Sequence, residues 1–223
     1  MAERIYTRGE KGTLEPLKED PFSTEDELQK LIAEYPELLD GEQIRPGAPR
    51  RWILITREKG IAKTSDGAAW WSVDHLIIDQ DAVPTLVEVK RGSNTEIRRT
   101  IVGQMLEYAA HAAQTWTAEE LRRTFEDSNC ASGRDPNEAL AKLLQADGEV
   151  DADGFWQSVA TNLAARRLRL LFVADDIPDP LERVVEFLNA QMPSIEVLAV
   201  EIKQFRSESM QALVPRVLGR TAA

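Results

Sequence analysis

The chain contains little cysteine and histidine and no long apolar run. Its 223 residues include one cysteine, Cys130, and two histidines, His75 and His111. A single cysteine excludes an internal disulfide and fits a reducing compartment, and neither histidine has a neighbour at the spacing of a histidine-based metal site. No apolar run approaches the ~20 residues that a membrane helix needs, and the first residues lack the apolar core of a signal peptide. We therefore expect a cytoplasmic protein that does not associate with a membrane.

The sequence also lacks the glycine-rich loops that cradle nucleotide phosphates. Neither a Walker loop nor a GxGxxG pattern is present, which excludes the common nucleotide-binding proteins. The net charge of −11 argues against a protein that simply coats nucleic acid. The basic side chains are nevertheless grouped: residues 44–63 carry six of them and one acidic residue. A second group follows, so that we expect a local phosphate-binding surface formed by Arg51, Lys90, Arg91, Arg98 and Arg99.

Two apolar, β-branched segments joined by a short polar link predict a hairpin over residues 73–79 and 84–91. In a strand, side chains two residues apart share a face, so Glu88 and Lys90 point the same way. If the strands pair around the polar link, Asp74 lies almost opposite Glu88. Two hard oxygen ligands beside an ammonium group suit a divalent cation and a phosphate.

The same alternation has a simpler interpretation. Glu88, Val89 and Lys90 are also typical of a half-exposed strand whose charged side chains are solvated. The context favours a site, because residues 76–78 are continuously apolar and predict a strand that is buried on both faces. A carboxylate at the head of such a strand, here Asp74, has to be paired, protonated or bound to a metal.

Helices are expected on both sides of the hairpin in sequence. One begins where Thr24 and Glu27 have capping-box spacing, and on it Glu25 falls at the edge of the apolar stripe while Glu27 points away. A longer helix over about 97–113 has apolar positions every three or four residues. Gln104 lies near its packed face, so we expect that side chain to be partly buried.

The remaining elements alternate between strands and helices. They are a strand over 51–56, helices near 118–125, 136–145 and 155–165, a strand over 169–174, a helix over 180–191 and a strand over 195–202. The three middle helices lie in an acidic segment with glycine-containing breaks, which predicts a helical insertion. The expected organisation is a flexible arm, a core in two parts around the insertion, and a tail, over residues 1–20, 21–113, 114–166, 167–206 and 207–223, respectively.

This order of elements and acids resembles the PD-(D/E)xK nuclease superfamily. Asp74 resembles the first metal-binding Asp of the family, although Val73 and not proline precedes it. Glu88 and Lys90 resemble the (D/E)xK pair, and Glu25 resembles the helical Glu found in many members.

Further likenesses concern particular branches of the superfamily. The segment from Gln104 to Tyr108 is similar to the QxxxY motif of the lambda-exonuclease and RecB-like branches, although a tyrosine at Tyr108 is also typical of a core. Leu86 to Arg91, followed by Asn94 and then Gly103 and Gln104, resembles branched- and mismatched-DNA endonucleases.

The resemblance implies an α/β fold with a restriction-endonuclease-like core, a mixed central sheet flanked by helices in the order αβββαβαβ, and a helical insertion. It implies hydrolysis of phosphodiester bonds in DNA by an endonuclease that uses Mg²⁺ or Mn²⁺. The implied metal ligands are Asp74, Glu88, the Val89 carbonyl and Glu25. Lys90 would orient water or stabilise negative charge, and Gln104 would position Lys90 or the phosphate.

A second hypothesis belongs to a different class of protein. The acidic remainder of the chain and the insertion over 114–166 also fit a catalytically inactive nuclease-like fold that binds nucleic acid or protein. The insertion would then be the surface for a protein partner, and a homodimer is compatible with a small nuclease. DNA versus RNA and endo versus exo cleavage stay open at this point.

Overall fold

The computed structural model describes residues 4–8, 12–62, 69–93, 100–146 and 148–219, which form an eight-stranded mixed sheet flanked by helices. The strands are β1 (Arg4–Arg8), β2 (Leu14–Glu19), β3 (Trp52–Ala62), β4 (Ala69–Asp79), β5 (Pro84–Lys90), β6 (Leu168–Ala174), β7 (Ile195–Arg206) and β8 (Gln211–Leu218). The helices are α1 (Glu25–Glu34), η1 (Pro36–Leu39, a 3-10 helix), α2 (Gly41–Ile44), α3 (Thr100–Thr115), α4 (Ala118–Ala131), α5 (Pro136–Leu144), α6 (Ala152–Ala164) and α7 (Asp179–Gln191).

The sheet combines antiparallel and parallel neighbours. β3, β4 and β5 are antiparallel, whereas β5, β6 and β7 run parallel. Parallel strands need long crossovers, and here α3 to α6 connect β5 to β6 while α7 connects β6 to β7. β8 returns antiparallel along β7. β2 pairs with β1 along its length and contacts β7 at Phe205 and Arg206, at the end of that strand. The β1–β2 hairpin therefore extends from the same edge of the sheet at which β5 and β6 end.

Each face of the sheet carries an apolar layer. On one face, α1, η1 and α2 pack against β4 to β7 through side chains such as Leu28, Ile32 and Val87. On the other face, α3 to α7 pack against the same strands. The helices between α3 and β6 contribute to this second layer, and they share one core with Leu76 and Leu86 of the sheet. The segment predicted as an insertion is thus a helical layer on the sheet.

Most of the helices and strands predicted from the sequence are confirmed, with shifted ends. Thr24 caps α1 and accepts the Glu27 N–H at 3.1 Å. Residues 76–78 are buried, as expected for a strand covered on both faces. β3, β4 and β7 are each longer than predicted. The predicted start of the long helix lies outside the described residues, and α3 is described from Thr100.

Two predictions at the ends of the chain are wrong. The flexible arm expected over residues 1–20 contains β1 and β2, and the tail expected over 207–223 contains β8. All three strands are held by pairing with partners, and β2 and β8 pair with β7, which is distant from β2 in sequence. Pro16 and Pro215 interrupt their local strand patterns, and proline is normally found on edge strands. Among the described residues, no helix is both long and apolar enough to cross a membrane.

Candidate active site

The register of β4 and β5 brings Asp74 next to Glu88. His75 pairs with Val87, so the next step of the antiparallel ladder sets Asp74 opposite Glu88. The Asp74 Oδ2 atom accepts a hydrogen bond from the Val89 N–H at 2.7 Å, which ties this side chain to the neighbouring strand. The hairpin pairing expected from the sequence is confirmed.

Glu88 is a buried carboxylate. Only 2% of its surface is exposed, and its Oε1 atom lies 3.0 Å from Lys90 Nζ and 3.3 Å from Gln104 Nε2. Its Oε2 atom is buried and has no hydrogen-bond partner in the described part of the chain. A buried, unpartnered acceptor costs roughly 1–3 kcal/mol, and more when it is charged. The solvated-strand interpretation is therefore wrong for Glu88.

Burial and proximity shift the pKa values of the two carboxyl groups upward. Burial, followed by the charge of Asp74, raises the pKa of Glu88 to about 7, although Lys90 opposes this shift. Burial also raises the pKa of Asp74 against the opposing effects of the Val89 N–H and Lys90. Like charges that share a site disfavour simultaneous ionisation. A cation between these groups would relieve that repulsion.

Lys90 lies between carboxylates from two elements. Its Nζ atom is 3.0 Å from Glu88 Oε1 and 3.7 Å from Glu25 Oε2, and it donates to the Val89 carbonyl at 3.0 Å. Burial opposes the charged form, but the surrounding carboxylates outweigh it and raise the pKa of Lys90. The side chain is thus a fixed ammonium donor, and 20% of it remains exposed.

The first turn of α1 carries Glu25 to this cluster. Glu25 Oε1 accepts the Arg91 N–H at 3.3 Å, which anchors the chain just after Lys90. Glu27 instead accepts the Ser23 N–H and contacts Arg206. Glu25 faces the fold as predicted, but the expectation that Glu27 points away is wrong, because Glu27 contacts the end of β7 through Arg206 and its side chain is 29% exposed against 33% for Glu25.

A polar bridge from α3 supports Glu88. Gln104 donates to Glu88 Oε1 and also contacts the hydroxyl of Tyr108, one helical turn further along. Tyr108 is 3% exposed, and burial raises its pKa. Gln104 is partly buried, as predicted. In this structure it holds Glu88, whereas the sequence led us to expect contact with Lys90 or a phosphate.

Of the two predicted substrate-binding arginines that the structure describes, only Arg91 lies beside the carboxylate cluster. Arg91 follows Lys90 directly, and its buried Nε atom has no hydrogen-bond partner within the described ranges. Arg51 lies beside Trp52, which pairs with Asp79 at the far end of β4, about 17 Å along the strand from Asp74. Its Nε atom donates to the Leu143 carbonyl at 2.6 Å. The structure therefore does not bring Arg51 to the cluster, and Arg98 and Arg99 lie outside the described residues.

A large cavity lies at that far end. It has a volume of about 1060 Å³ and is lined by Arg51 and by residues of η1, β3 and α5. Asp74, Glu88, Lys90 and Gln104 are not among its lining residues. The candidate site is an arrangement of charged groups at the sheet edge and not part of this cavity.

The sequence analysis missed the contribution of β6. Asp175, just after β6, accepts the Gly92 N–H at 2.5 Å, and a Cβ atom on Gly92 would lie 2.5 Å from Cβ of Asp176. Glycine is therefore needed where the chain turns after Lys90. The signal in the sequence was the position of Asp175 directly after the predicted strand over 169–174. Neighbouring parallel strands end at the same sheet edge, and Lys90 pairs with Ala174.

The donor atoms of the cluster fit a hard divalent cation. Two carboxylates face each other, one of their oxygens is unpartnered, and the Val89 carbonyl has a second lone pair besides the one that binds Lys90. Across the described ranges, no group of three or more His, Cys, Asp or Glu side chains is placed to hold a metal ion. Mg²⁺ is usually held by one or two carboxylates and keeps several waters, so the pair of carboxylates is sufficient.

The case for this site rests on its geometry. Four hydrogen bonds and ion pairs hold the cluster together, and they involve Asp74, Glu88, Lys90 and Gln104. A search against protein-family models, curated proteins and solved structures finds no match to this chain.

Proposed function

We propose that the protein is a metal-dependent nuclease with a restriction-endonuclease-like core that hydrolyses phosphodiester bonds in DNA. The observation that carries the proposal is Glu88, a buried carboxylate with an unpartnered oxygen that faces Asp74 and contacts Lys90 and Gln104. A structural ion pair would need only Glu88 and Lys90. The second carboxylate, Asp74, facing the unpartnered oxygen of Glu88, instead suits the binding of a divalent cation.

Asp74 and Glu88 would hold Mg²⁺ or Mn²⁺ together with the Val89 carbonyl, and Glu25 would take part directly or through water. When bound, such an ion polarises a phosphate and lowers the pKa of a coordinated water. The Val89 N–H fixes Asp74, and Gln104 fixes Glu88. Both carboxylates are therefore held in place before a ligand arrives.

Lys90 is suited to stabilise the negative charge that develops on the phosphate. Its ammonium is restrained by Glu88 and Glu25, and preorganised charged donors in a buried setting are worth more than the same donors in water. Arg91 follows it in the chain and supplies a second cation at the sheet edge. Its backbone is anchored by Glu25.

Cleavage assays with purified protein test this proposal. We expect Mg²⁺- or Mn²⁺-dependent cleavage of single-stranded, branched or duplex DNA, and no cleavage in EDTA. Glu88→Gln, which keeps the shape and removes the charge, is expected to lower the rate at least 100-fold. Glu186→Gln, an exposed position on α7, is the matched control and should retain the parental rate.

The proposal fails if the folded parent cleaves none of these DNA substrates, or if Glu88→Gln cleaves as fast as the parent. RNA of the same sequence should be included, because cleavage of RNA alone would reassign the substrate. Binding of nucleic acid or protein without cleavage would favour the inactive, binding-module hypothesis.

A further inference from the structure

The β1–β2 hairpin forms the edge of the sheet beyond β7. β2 joins the sheet through Lys18 and Glu19, which pair with Arg206 and Phe205 at the end of β7. Arg206 also contacts Glu27 at 3.1 Å, two residues beyond Glu25 in the first turn of α1. The base of the hairpin is therefore close to the start of α1, whose Glu25 contacts Lys90.

One face of the hairpin is exposed and the other is partly buried. Residues directly opposite each other in an antiparallel pair point to the same face, and Tyr6 pairs with Pro16 while Arg8 pairs with Leu14. These four residues and Lys18 are all exposed, whereas Leu17, which points the other way, is fully buried. We call the set Tyr6, Arg8, Leu14, Pro16 and Lys18 the outer hairpin face.

The outer hairpin face differs in charge from the rest of the molecule. It carries two cations, Arg8 and Lys18, and none of its five described residues is acidic, although the whole chain has a net charge of −11. At its base, Asp20 and Glu27 are both engaged by Arg206 at 3.5 and 3.1 Å, and Glu19, which points to the other face, lies 3.5 Å from Lys203. The exposed charge on this face is therefore complementary to a polyanion.

Tyr6 adds an aromatic ring between these cations. It is 57% exposed, whereas Tyr108 is 3% exposed. An exposed aromatic ring beside basic side chains is the arrangement by which proteins stack unpaired bases while holding the phosphates on either side. Leu14, 66% exposed, extends the apolar surface next to the ring.

We infer that the outer hairpin face binds a single-stranded segment of the nucleic acid substrate, with Arg8 and Lys18 on phosphates and Tyr6 stacked on a base. This inference rests on the proposed nuclease function, and it adds a substrate-binding surface that does not include the candidate metal ligands. It assigns to the substrate an unpaired region on the face of the sheet that α1 covers, whereas Glu88 and Lys90 point to the face that α3 covers. The nucleic acid strand would therefore cross the sheet edge near Glu25 to reach Lys90.

Measuring the binding of nucleic acid without metal tests this surface independently of cleavage. We would measure the fluorescence anisotropy of a labelled 20-mer oligothymidine in EDTA, using the full chain. Tyr6→Ser/Arg8→Ser/Lys18→Ser is expected to weaken binding at least tenfold. The salt dependence should also fall, by about 1.4 in the slope of log K against log salt, since two phosphate contacts are lost.

The matched control is Arg123→Ser/Arg183→Ser/Phe187→Ser, which removes two exposed cations and an exposed aromatic ring from α4 and α7. It should bind the oligonucleotide as the parent does. Tyr6→Phe should also bind like the parent, because the ring is kept, while Tyr6→Ser alone should bind several-fold more weakly. Thermal melts of all variants check that they are folded.

Several results would overturn the inference. Equal binding by the hairpin variant and the parent removes it while leaving the proposed function intact, provided that the parent cleaves DNA with metal. Preference for a fully paired duplex, or binding of phosphatidylserine vesicles and not of the oligonucleotide, also overturns it. A parent that neither binds nor cleaves removes both proposals together.

Discussion

At the scale of single residues, Glu88 combines burial with an elevated pKa of about 7. Because its ordinary pKa is 4.5, the folded state binds more protons than the unfolded state between these values. Ionised Glu88 therefore reduces stability as the pH rises through this range. A bound cation would reverse this effect, since it favours the ionised form.

The first prediction concerns the addition and removal of metal at pH 8. A ligand that binds only the folded state at one hundred times its Kd stabilises it by about 2.7 kcal/mol, which corresponds to a rise in Tm of about 5–10 °C for a chain of this size. We expect Mn²⁺ to raise the Tm of the parent and EDTA to reverse the rise. Glu88→Gln should show no rise, whereas Glu186→Gln should behave as the parent. An equal rise in Glu88→Gln would mean that the ion binds elsewhere.

His75 is the second unusual residue, and it lies on the opposite face of β4 from Asp74. It is fully buried, and its Nε2 atom lies 2.8 Å from the Gln29 carbonyl. Its Nδ1 atom has no partner among the residues described. Burial, together with the nearby charge of Arg57, lowers the pKa of His75 from 6.5 to about 4.

The second prediction follows from the sign of this shift. Between pH 6.5 and pH 4 the unfolded chain binds the proton and the folded chain does not, so the free energy of unfolding falls as the pH falls. The contribution of His75 is about 3 kcal/mol over this range. Urea denaturation at a series of pH values should show a smaller fall for His75→Gln than for His111→Gln. Identical pH profiles for the two variants would contradict the assignment.

At the scale of elements, the turn between β4 and β5 is fixed by one buried carboxylate. Asp79 is fully buried and accepts the N–H groups of Asp81 and Val83, each at 3.0 Å. Its other oxygen contacts Arg169 of β6 at 2.9 Å. Asp79 thus sets the hairpin register that aligns Asp74 with Glu88 at the other end.

The third prediction concerns the loss of this group. Asp79→Ala removes one of the two carboxylates that pair with the buried Arg169, the other being Glu196, and leaves the Val83 N–H without its acceptor, so it should lower the free energy of unfolding by about 3 kcal/mol. Asp81→Ala, at a side chain that is 52% exposed, should cost no more than about 1 kcal/mol. Urea denaturation measures both. Equal effects of the two substitutions would show that the turn does not depend on Asp79.

The sequence predicted those parts of the site that depend on local periodicity. Glu88 and Lys90 share a face because they are two residues apart in a strand, and Glu25 follows from the stripe of α1. The contact between Gln104 and Glu88 could not be placed, because the relative position of α3 depends on packing and not on local pattern. The pairing of β2 with β7 was missed for the same reason, since it joins residues far apart in the chain, whereas β8 forms a local hairpin with β7 that contains Pro215.

At the scale of the whole molecule, the helical layer and the sheet share a core. Phe125 of α4 is 2% exposed, and its ring lies 5.8 Å from that of Trp156 of α6. Both side chains belong to the apolar layer that also contains Leu76 and Leu86. The helices should therefore not unfold independently of the strands that carry the candidate site.

The fourth prediction tests this coupling. Phe125→Ala should lower the free energy of unfolding by about 3–5 kcal/mol, in a single transition that far-UV circular dichroism and tryptophan fluorescence report at the same denaturant concentration. Phe187→Ala, at a side chain that is 64% exposed, should change it by no more than about 0.5 kcal/mol. Two separated transitions in Phe125→Ala would show that the helical layer unfolds by itself.

The unequal lengths of the strands shape the approach to the candidate site. β4 begins at Ala69, five residues before Asp74, and β7 continues for five residues beyond Glu201, where its pairing with β6 ends. The shorter β5 and β6 end between these two longer strands, so Lys90 lies at a recessed part of the sheet edge. Three inter-strand spacings, about 14 Å in total, separate β4 from β7. The ends of β4 and β7 therefore bound the part of the sheet edge at which Lys90 lies.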